Sequence, residues 1–257
     1  MQLSGRRAFI TGTSAGIGRT IAVRFAEEGA EIIAVDLDAG ENERTEALIH
    51  ARGGRCTAIT ADVSVEDDVI AAFRRAGDVD LLVNNAASAA GDDRIPELSG
   101  DAWDKVLAVC LKSVFLCTRE ALISMRLKRR GVIINVSSVN ALVGINLAAY
   151  TAAKGGILAF TRLTAAHHAA EGIRANAICP GTILSESSER YYREHRELEA
   201  ELKALYPGGS FGKVEDIASC AVFLASDASS FINGAEIPVD GGLLATRPLK
   251  SLLPITK

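Results

Sequence analysis

The run Arg7-Ala8-Phe9-Ile10-Thr11-Gly12-Thr13-Ser14-Ala15-Gly16-Ile17-Gly18 joins three kinds of chain in a fixed order. Residues 7–11 are apolar enough for a short buried strand, glycines at 12, 16 and 18 make a loop, and an apolar-periodic run from Ile17 to Glu28 predicts a helix. Glycine lets backbone N–H groups approach a bound anion closely, and a helix N-terminus adds partial positive charge to the same point. Gly12, Ser14, Gly16, Ile17 and Gly18 are therefore candidate contacts for a pyrophosphate. The spacing G-x-x-x-G-x-G departs from the G-x-G-x-x-G fingerprint, so the surrounding strand and helix carry the reading.

Downstream, the alternation continues. A strand from Glu31 to Val35 ends in Asp36, eighteen residues after Gly18, near the position where a carboxylate bonds the ribose 2′-hydroxyl of an adenosine. Asp36 would repel a 2′-phosphate, and neither Ala15 nor Leu37 supplies a compensating cation, so the pattern favours NAD over NADP. Helix 41–52, strand 56–61 and helix 66–75 follow, with Asp62 and Val63 closing the third strand. Strand 79–83 runs into Asn84-Asn85-Ala86-Ala87, a polar and small cluster at another strand end. Strands alternating with helices build a doubly wound, Rossmann-type α/β fold, a parallel sheet of about seven strands with helices on both faces. The 257 residues suit one domain. Ligand groups then come from the carboxyl ends of the strands, which adds Asp62, Val63, Asn85 and Ala86 to the candidates.

A long helical pattern, about Asp101 to Arg129, precedes the apolar run Val132-Ile133-Ile134-Asn135-Val136, which delivers Ser137-Ser138. Tyr150 and Lys154 then stand four apart in a helical segment, on one face and about 5–6 Å apart at Cβ. A cation beside a phenol favours the phenolate, which makes the pair a candidate general acid and base.

Composition excludes several classes. Hydrophobic residues make up 48% of the chain, charged residues 23%, and the net charge of −4 offers no basic footprint for nucleic acid. Met1 to Phe9 lack an apolar leader core, and no run approaches the ~20 apolar residues of a membrane span, which suggests a cytoplasmic protein with no membrane partner. The five cysteines form no C-x-x-C pair and have no histidine partners, so neither disulfides nor a metal site is expected. His167 and His168 read as surface or packing residues, since no third ligand accompanies them.

In these motifs the chain resembles the short-chain dehydrogenase/reductase family, in its subgroup of roughly 250-residue single-domain enzymes. The resemblance rests on Thr11-Gly12-x-x-x-Gly16-Ile17-Gly18, Asp62-Val63, Asn84-Asn85-Ala86, Asn135-Val136-Ser137-Ser138, Tyr150-x-x-x-Lys154, Asn176-Ala177-Ile178-Cys179-Pro180-Gly181 and Val239-Asp240-Gly241-Gly242. It implies an oxidoreductase that passes hydride between a substrate carbon and a nicotinamide ring. In such an enzyme Tyr150 exchanges the proton of the substrate oxygen, and Lys154 binds the nicotinamide ribose and favours the phenolate. A serine holds the substrate oxygen. Counting back from Tyr150 points to Ser137, whereas alignment on the strand end points to Ser138, which we take because a strand end is more rigid than the loop after it. Pro180, Gly181, Ile183 and Ser185 would complete the cofactor site, with Ile183 on the carboxamide. The Tyr-x6-Lys spacing of enoyl reductases is absent, so a carbonyl or alcohol is the expected substrate.

One departure bears on mechanism. Cys110-Leu111-Lys112-Ser113-Val114-Phe115 matches the family pattern Asn-Leu-x-x-x-Phe with cysteine where asparagine normally helps to hold a water behind the lysine. Either the backbone carbonyl of residue 110 still holds that water, as a group that survives substitution, or proton relay is slowed. A second departure is Ala87 where glycine is common.

On the substrate side, residues 186–206 carry Tyr191, Tyr192, His195, Leu198, Leu202 and Leu205 at helical spacing, and the family places a mobile lid here, about 185–210. Ser138, Asn140, Tyr150, Tyr191 and Tyr192 are candidate substrate contacts, suited to a small hydroxylated molecule such as a sugar or polyol. Ala148, Ala149, Ala152, Ala153, Gly155 and Gly156 permit close approach by another subunit, and the family commonly forms homotetramers or homodimers. The apolar tail 243–257 could cover a neighbouring subunit or a pocket. The competing readings are a 3-oxoacyl carrier-protein reductase, which ordinarily prefers NADP, a hydroxysteroid dehydrogenase, and a dinucleotide-binding sensor that has lost catalysis.

Overall fold

The apolar runs of the sequence become parallel strands. The computed structural model describes residues 1–245, so the tail beyond 245, with the leucines expected to cover a neighbour, lies outside the described residues. In chain order the elements are β1 (Arg7–Thr11), α1 (Gly16–Glu27), β2 (Glu31–Asp36), α2 (Ala39–Ala51), β3 (Arg55–Thr60), α3 (Glu66–Ala76), β4 (Leu81–Asn84), α4 (Gly100–Leu107), α5 (Ser113–Lys128), β5 (Gly131–Val136) and α6 (Ala148–His168). They continue as β6 (Ile173–Pro180), β7 (Ile183–Leu184), α7 (Glu186–Glu194), α8 (Arg196–Lys203), β8 (Gly212–Lys213), α9 (Val214–Ala225) and β9 (Glu236–Val239).

Seven strands form one sheet in the order β3-β2-β1-β4-β5-β6-β9, every neighbouring pair parallel. The strand order reverses between β1 and β4, and such a switch point opens a crevice at the carboxyl ends of the strands. β4 and β5 are buried along their whole length, as strands covered by helices on both faces must be. Successive residues of β1 face opposite layers. Ile10 joins Ile21, Ile217 and Val222 under α1 and α9, while Phe9 joins Leu82, Leu116 and Met125 and stacks on Phe73 at 4.0 Å between centroids.

The helix expected over 101–129 is helical throughout but not uniform. A π-helical turn, Ala108–Lys112, separates α4 from α5 and carries Cys110 at its centre. π-turns widen a helix locally and recur at functional sites. The stripe of small residues on α6 is divided in use. Ala149 and Ala153 are fully buried against Val106 and Cys110, Gly156 receives Leu111, and Gly155 faces open space. Close approach on that helix therefore serves the chain's own packing in part.

Residues between β7 and β8 form α7 and α8, which leave the sheet and return to it. Ile183 and Leu184 pair with Gly212 and Lys213 at the base of this excursion.

Candidate active site

The crevice at the switch point is a cleft of about 660 Å³. Gly12, Ser14, Gly16, Ile17, Gly18, Asp36, Asp62, Val63, Asn85, Ala86, Ser138, Tyr150, Lys154, Pro180, Gly181, Ile183 and Ser185 all line it. Residues more than a hundred apart in sequence thus meet because the ends of β1 to β6 open on one edge.

Its glycine loop is held closed by Asn85. The Asn85 amide donates to the carbonyls of Thr11 and Gly12 at 3.0 and 3.1 Å, and Thr11 Oγ1 accepts the N–H groups of Asn85 and Ala86 at 3.0 Å each. A Cβ at Gly18 would lie 2.0 Å from the Gly12 carbonyl oxygen, so no side chain fits there. Gly12 has φ +73°, and a Cβ on it would meet Asn85 Nδ2 at 2.7 Å. The N-terminus of α1 has no side-chain cap and no acidic residue in its first turn. Its first turn carries no acidic side chain to neutralise the positive end, which fits an anionic pyrophosphate.

Asp36 lines the cleft beside the glycine loop. Its carboxylate accepts the N–H of Ser14 at 2.9 Å and that of Asp38 at 3.0 Å, which aims it at the loop. Arg19 stands nearby but is engaged by Glu41 at 2.8 Å, by Thr45 Oγ1 at 2.9 Å and by the Ser14 carbonyl. Among the described residues of the cleft lining, Lys154 is the single basic one, set against the carboxylates of Asp36 and Asp62.

At the other end the helix α6 presents Tyr150 and Lys154. Lys154 is only 2% exposed, donates from Nζ to the Val136 carbonyl at 2.7 Å, and lies 5.3 Å from the centroid of the Tyr150 ring. No carboxylate pairs with it among the described residues. A buried ammonium with one carbonyl partner is costly to fold, and such cost concentrates at functional sites.

The two serines differ in what their hydroxyls do. Ser137 Oγ donates to the Lys154 carbonyl at 2.9 Å, a bond that ties the end of β5 to α6. Ser138 Oγ lies 3.3 Å from Asn140 Oδ1 and accepts the Asn140 N–H at 3.1 Å, on the loop side of the cleft.

The start of α6 is capped from outside the helix. Leu147, at its N-cap, has φ +65° and no capping side chain, and Asp92 replaces it. Asp92 accepts the N–H groups of Ala149 at 3.1 Å and Tyr150 at 2.7 Å, and the Asp93 carbonyl takes that of Ala148 at 3.2 Å. Sequence reasoning missed Asp92, since no capping residue stands at the local position where a cap is sought.

Three expected substrate contacts stand outside the lining of the cleft. Asn140 braces its own loop, donating from Nδ2 to the Asn146 carbonyl at 3.1 Å. Tyr191 stacks on His195 at 4.2 Å between centroids, and Tyr192 packs on Phe211 at 5.1 Å. The helical stripe of residues 186–206 is spent largely on such internal contacts. Val35, Leu37, Ala61 and Val136 at strand ends, and Val109 in the π-turn, line the cleft without having been singled out, because apolar residues at such places look like any others in sequence. Among the described residues no cluster of histidine, cysteine or acidic side chains could hold a metal ion, and no helix is long and apolar enough to cross a membrane.

Comparison with known proteins agrees with this geometry. A family model described as enoyl-(acyl carrier protein) reductase matches residues 12–244. The chain is 41% identical to 2-(S)-hydroxypropyl-CoM dehydrogenase 3 of Xanthobacter autotrophicus over 244 residues, covering 92% of this chain and 95% of that one. Among solved structures, a putative gluconate dehydrogenase from Agrobacterium tumefaciens superposes with a TM-score of 0.92 at 37% identity, covering 96% of this chain and 98% of that one. A putative 2-deoxy-D-gluconate 3-dehydrogenase from the same organism, with bound NADP, gives 0.89 at 36% identity over 95% and 98%. The glycine loop, the Tyr150–Lys154 pair and these likenesses together make the chain a member of the short-chain dehydrogenase/reductase family.

Proposed function

We propose that this protein is an NAD-dependent dehydrogenase that interconverts a secondary alcohol and a ketone. The observation that carries the reading is the convergence of Ser138, Tyr150 and Lys154 on the same cleft as the uncapped end of α1 and the carboxylate of Asp36. A bound nicotinamide would accept or supply the hydride. Ser138 Oγ holds the substrate oxygen by a hydrogen bond, while the Tyr150 oxygen, as phenolate, takes the alcohol proton in oxidation and, as phenol, gives a proton to the carbonyl oxygen in reduction. Lys154, held by Val136, places its Nζ 5.3 Å from the centroid of the Tyr150 ring.

NAD is preferred in this reading because Asp36 occupies the place a 2′-phosphate would need and Arg19 is already engaged by Glu41. The relative solved with NADP keeps that property as its own. The substrate is a small hydroxylated molecule such as a sugar acid or polyol, in keeping with the dehydrogenases this chain is similar to. α7 and α8 act as the lid, and closure excludes water from the reacting atoms. A homotetramer or homodimer would use the outer face of α5 and α6, where Phe115, Ile123, Leu127 and Leu163 are exposed.

The test is a dehydrogenase screen followed by nicotinamide absorbance, over polyols, sugar acids, hydroxy acids and steroids, with NAD and NADP in parallel. Turnover with NAD at least tenfold above NADP in kcat/KM is expected, about 1.4 kcal/mol. Preference for NADP would overturn the role given to Asp36. Tight NADH binding with no turnover of any alcohol or ketone would favour a sensor.

A further inference from the structure

Tyr206 lies just after α8, at the point where the α7–α8 excursion returns to the sheet, and its side chain is 5% exposed. Its hydroxyl accepts the N–H of Thr182 at 2.6 Å. Thr182 stands between Gly181 and Ile183, both of which line the cleft. We propose that Tyr206 is a positioning residue for the reactive half of the dinucleotide site, fixing the peptide between Gly181 and Thr182 and tying the excursion to the strand end that holds the cofactor. The inference rests on the dehydrogenase reading above.

Three observations support it. A peptide group is planar and trans, so holding the Thr182 N–H sets the direction of the Gly181 carbonyl, which must point away from Tyr206. A Cβ on Gly181 would lie 2.9 Å from the Tyr206 hydroxyl oxygen and 3.1 Å from Asp240 Cα, so residue 181 has no side chain because the phenol and the chain after β9 close over it. The Tyr206 ring is held in turn. It meets Phe211 edge-on at 5.7 Å, and Phe211 packs on Tyr192 of α7 at 5.1 Å. An aromatic row thus runs from α7 through Phe211 to the hydroxyl that grips the strand end.

The effect belongs to one half of the cleft. Asp36 and Asp62 lie at the carboxyl ends of β2 and β3, on one side of β1 in the sheet, whereas Ser138 and Pro180–Ile183 lie at those of β5 and β6 on the other. Tyr206 touches the second group. A loosened Thr182 peptide should therefore weaken binding of the reactive ring while sparing the adenosine, the pyrophosphate and their glycine loop.

Tyr206→Phe keeps the ring and removes the acceptor. Calorimetric titration of the wild-type chain and the variant with NADH and with ADP-ribose separates the two halves. We expect the variant to bind NADH about two- to tenfold more weakly, the effect of one lost neutral hydrogen bond, and ADP-ribose within about twofold of wild type. A general structural defect would weaken both ligands alike, and that result, or unchanged NADH affinity, overturns the inference. A wild-type chain that binds neither ligand overturns the proposed function and this inference with it. A wild type that binds NADH beside a variant lacking the split overturns the inference alone.

Discussion

Cys110 Sγ accepts the N–H of Ser88 at 3.4 Å and donates to the carbonyl of Ser88 at 3.2 Å, so a single thiol satisfies both backbone groups of one residue. Ser88 lines the cleft, and Cys110 sits in the π-turn against Ala149 and Ala153 of the helix that carries Tyr150. Cysteine at this position therefore has a definite mechanical role. An asparagine side chain also offers a donor and an acceptor. Cys110→Asn is expected to leave kcat unchanged or raise it, and a fall beyond about tenfold, near 1.4 kcal/mol, would contradict this. Cys110→Ala removes both contacts to the backbone of Ser88 and should cost about 1 kcal/mol in urea unfolding.

The serines separate by mutation. Ser138→Ala should lower kcat by about 10²–10³, the loss found when one donor to a reacting oxygen is removed, with NADH affinity unchanged. Ser137 Oγ is committed to the Lys154 carbonyl at 2.9 Å, so Ser137→Ala should cost about 1 kcal/mol of stability and less than tenfold in rate. If Ser137→Ala abolishes turnover while Ser138→Ala is mild, the assignment is reversed.

Asp92 caps the helix of Tyr150 through two N–H groups. Losing a side-chain cap costs about 0.5–2 kcal/mol, and here the frayed turn contains Tyr150 itself. Asp92→Ala is expected to lower stability within that range and to reduce kcat more than NADH affinity. Asp92→Asn, which keeps one acceptor oxygen, should lie between. Equal stability of all three proteins would remove the cap from the account.

Burial raises four thiols, Cys56 and Cys117 to about 12, and Cys179 and Cys220 to about 11, against an ordinary value of 9.0. Above pH 9 the unfolded chain gives up these protons while the folded chain keeps them, so the folded state binds more protons and stability falls as pH rises. The contribution is complete below about pH 9 and is lost progressively as the pH passes towards 11–12. Urea midpoints across that window should decline, and less steeply in a Cys117→Ala variant. At neutral pH a disulfide reagent should modify the partly buried Cys220 before the buried Cys56, Cys117 or Cys179. Rapid modification of all of them in the folded protein would refute the burial argument.

Much of this architecture is legible in residue order because it depends on local pattern. Apolar runs of strand length, glycines at 12, 16 and 18 and the four-residue step from Tyr150 to Lys154 each act within a few residues, and the candidate residues read from them line the cleft. Where the reading fell short, the reason is direction. Periodicity tells which face of a helix is apolar but not what that face meets, so the stripe holding Tyr191 and Tyr192 packs on His195 and Phe211 rather than lining the cleft. Similarly, the long helical pattern across Cys110 gave no sign of its π-turn.

Strand, glycine loop and paired Tyr150 and Lys154 follow from the order of residues alone, since neighbouring side chains and backbone propensities are enough to specify them. Three features do not: the orientation of Ser137 towards Lys154, the Asp92 cap fifty-eight residues before Tyr150, and the grip of Tyr206 on Thr182. Each is a directional hydrogen bond between segments that meet only when the sheet has closed, and a hydrogen bond depends on angle and distance that no linear pattern contains.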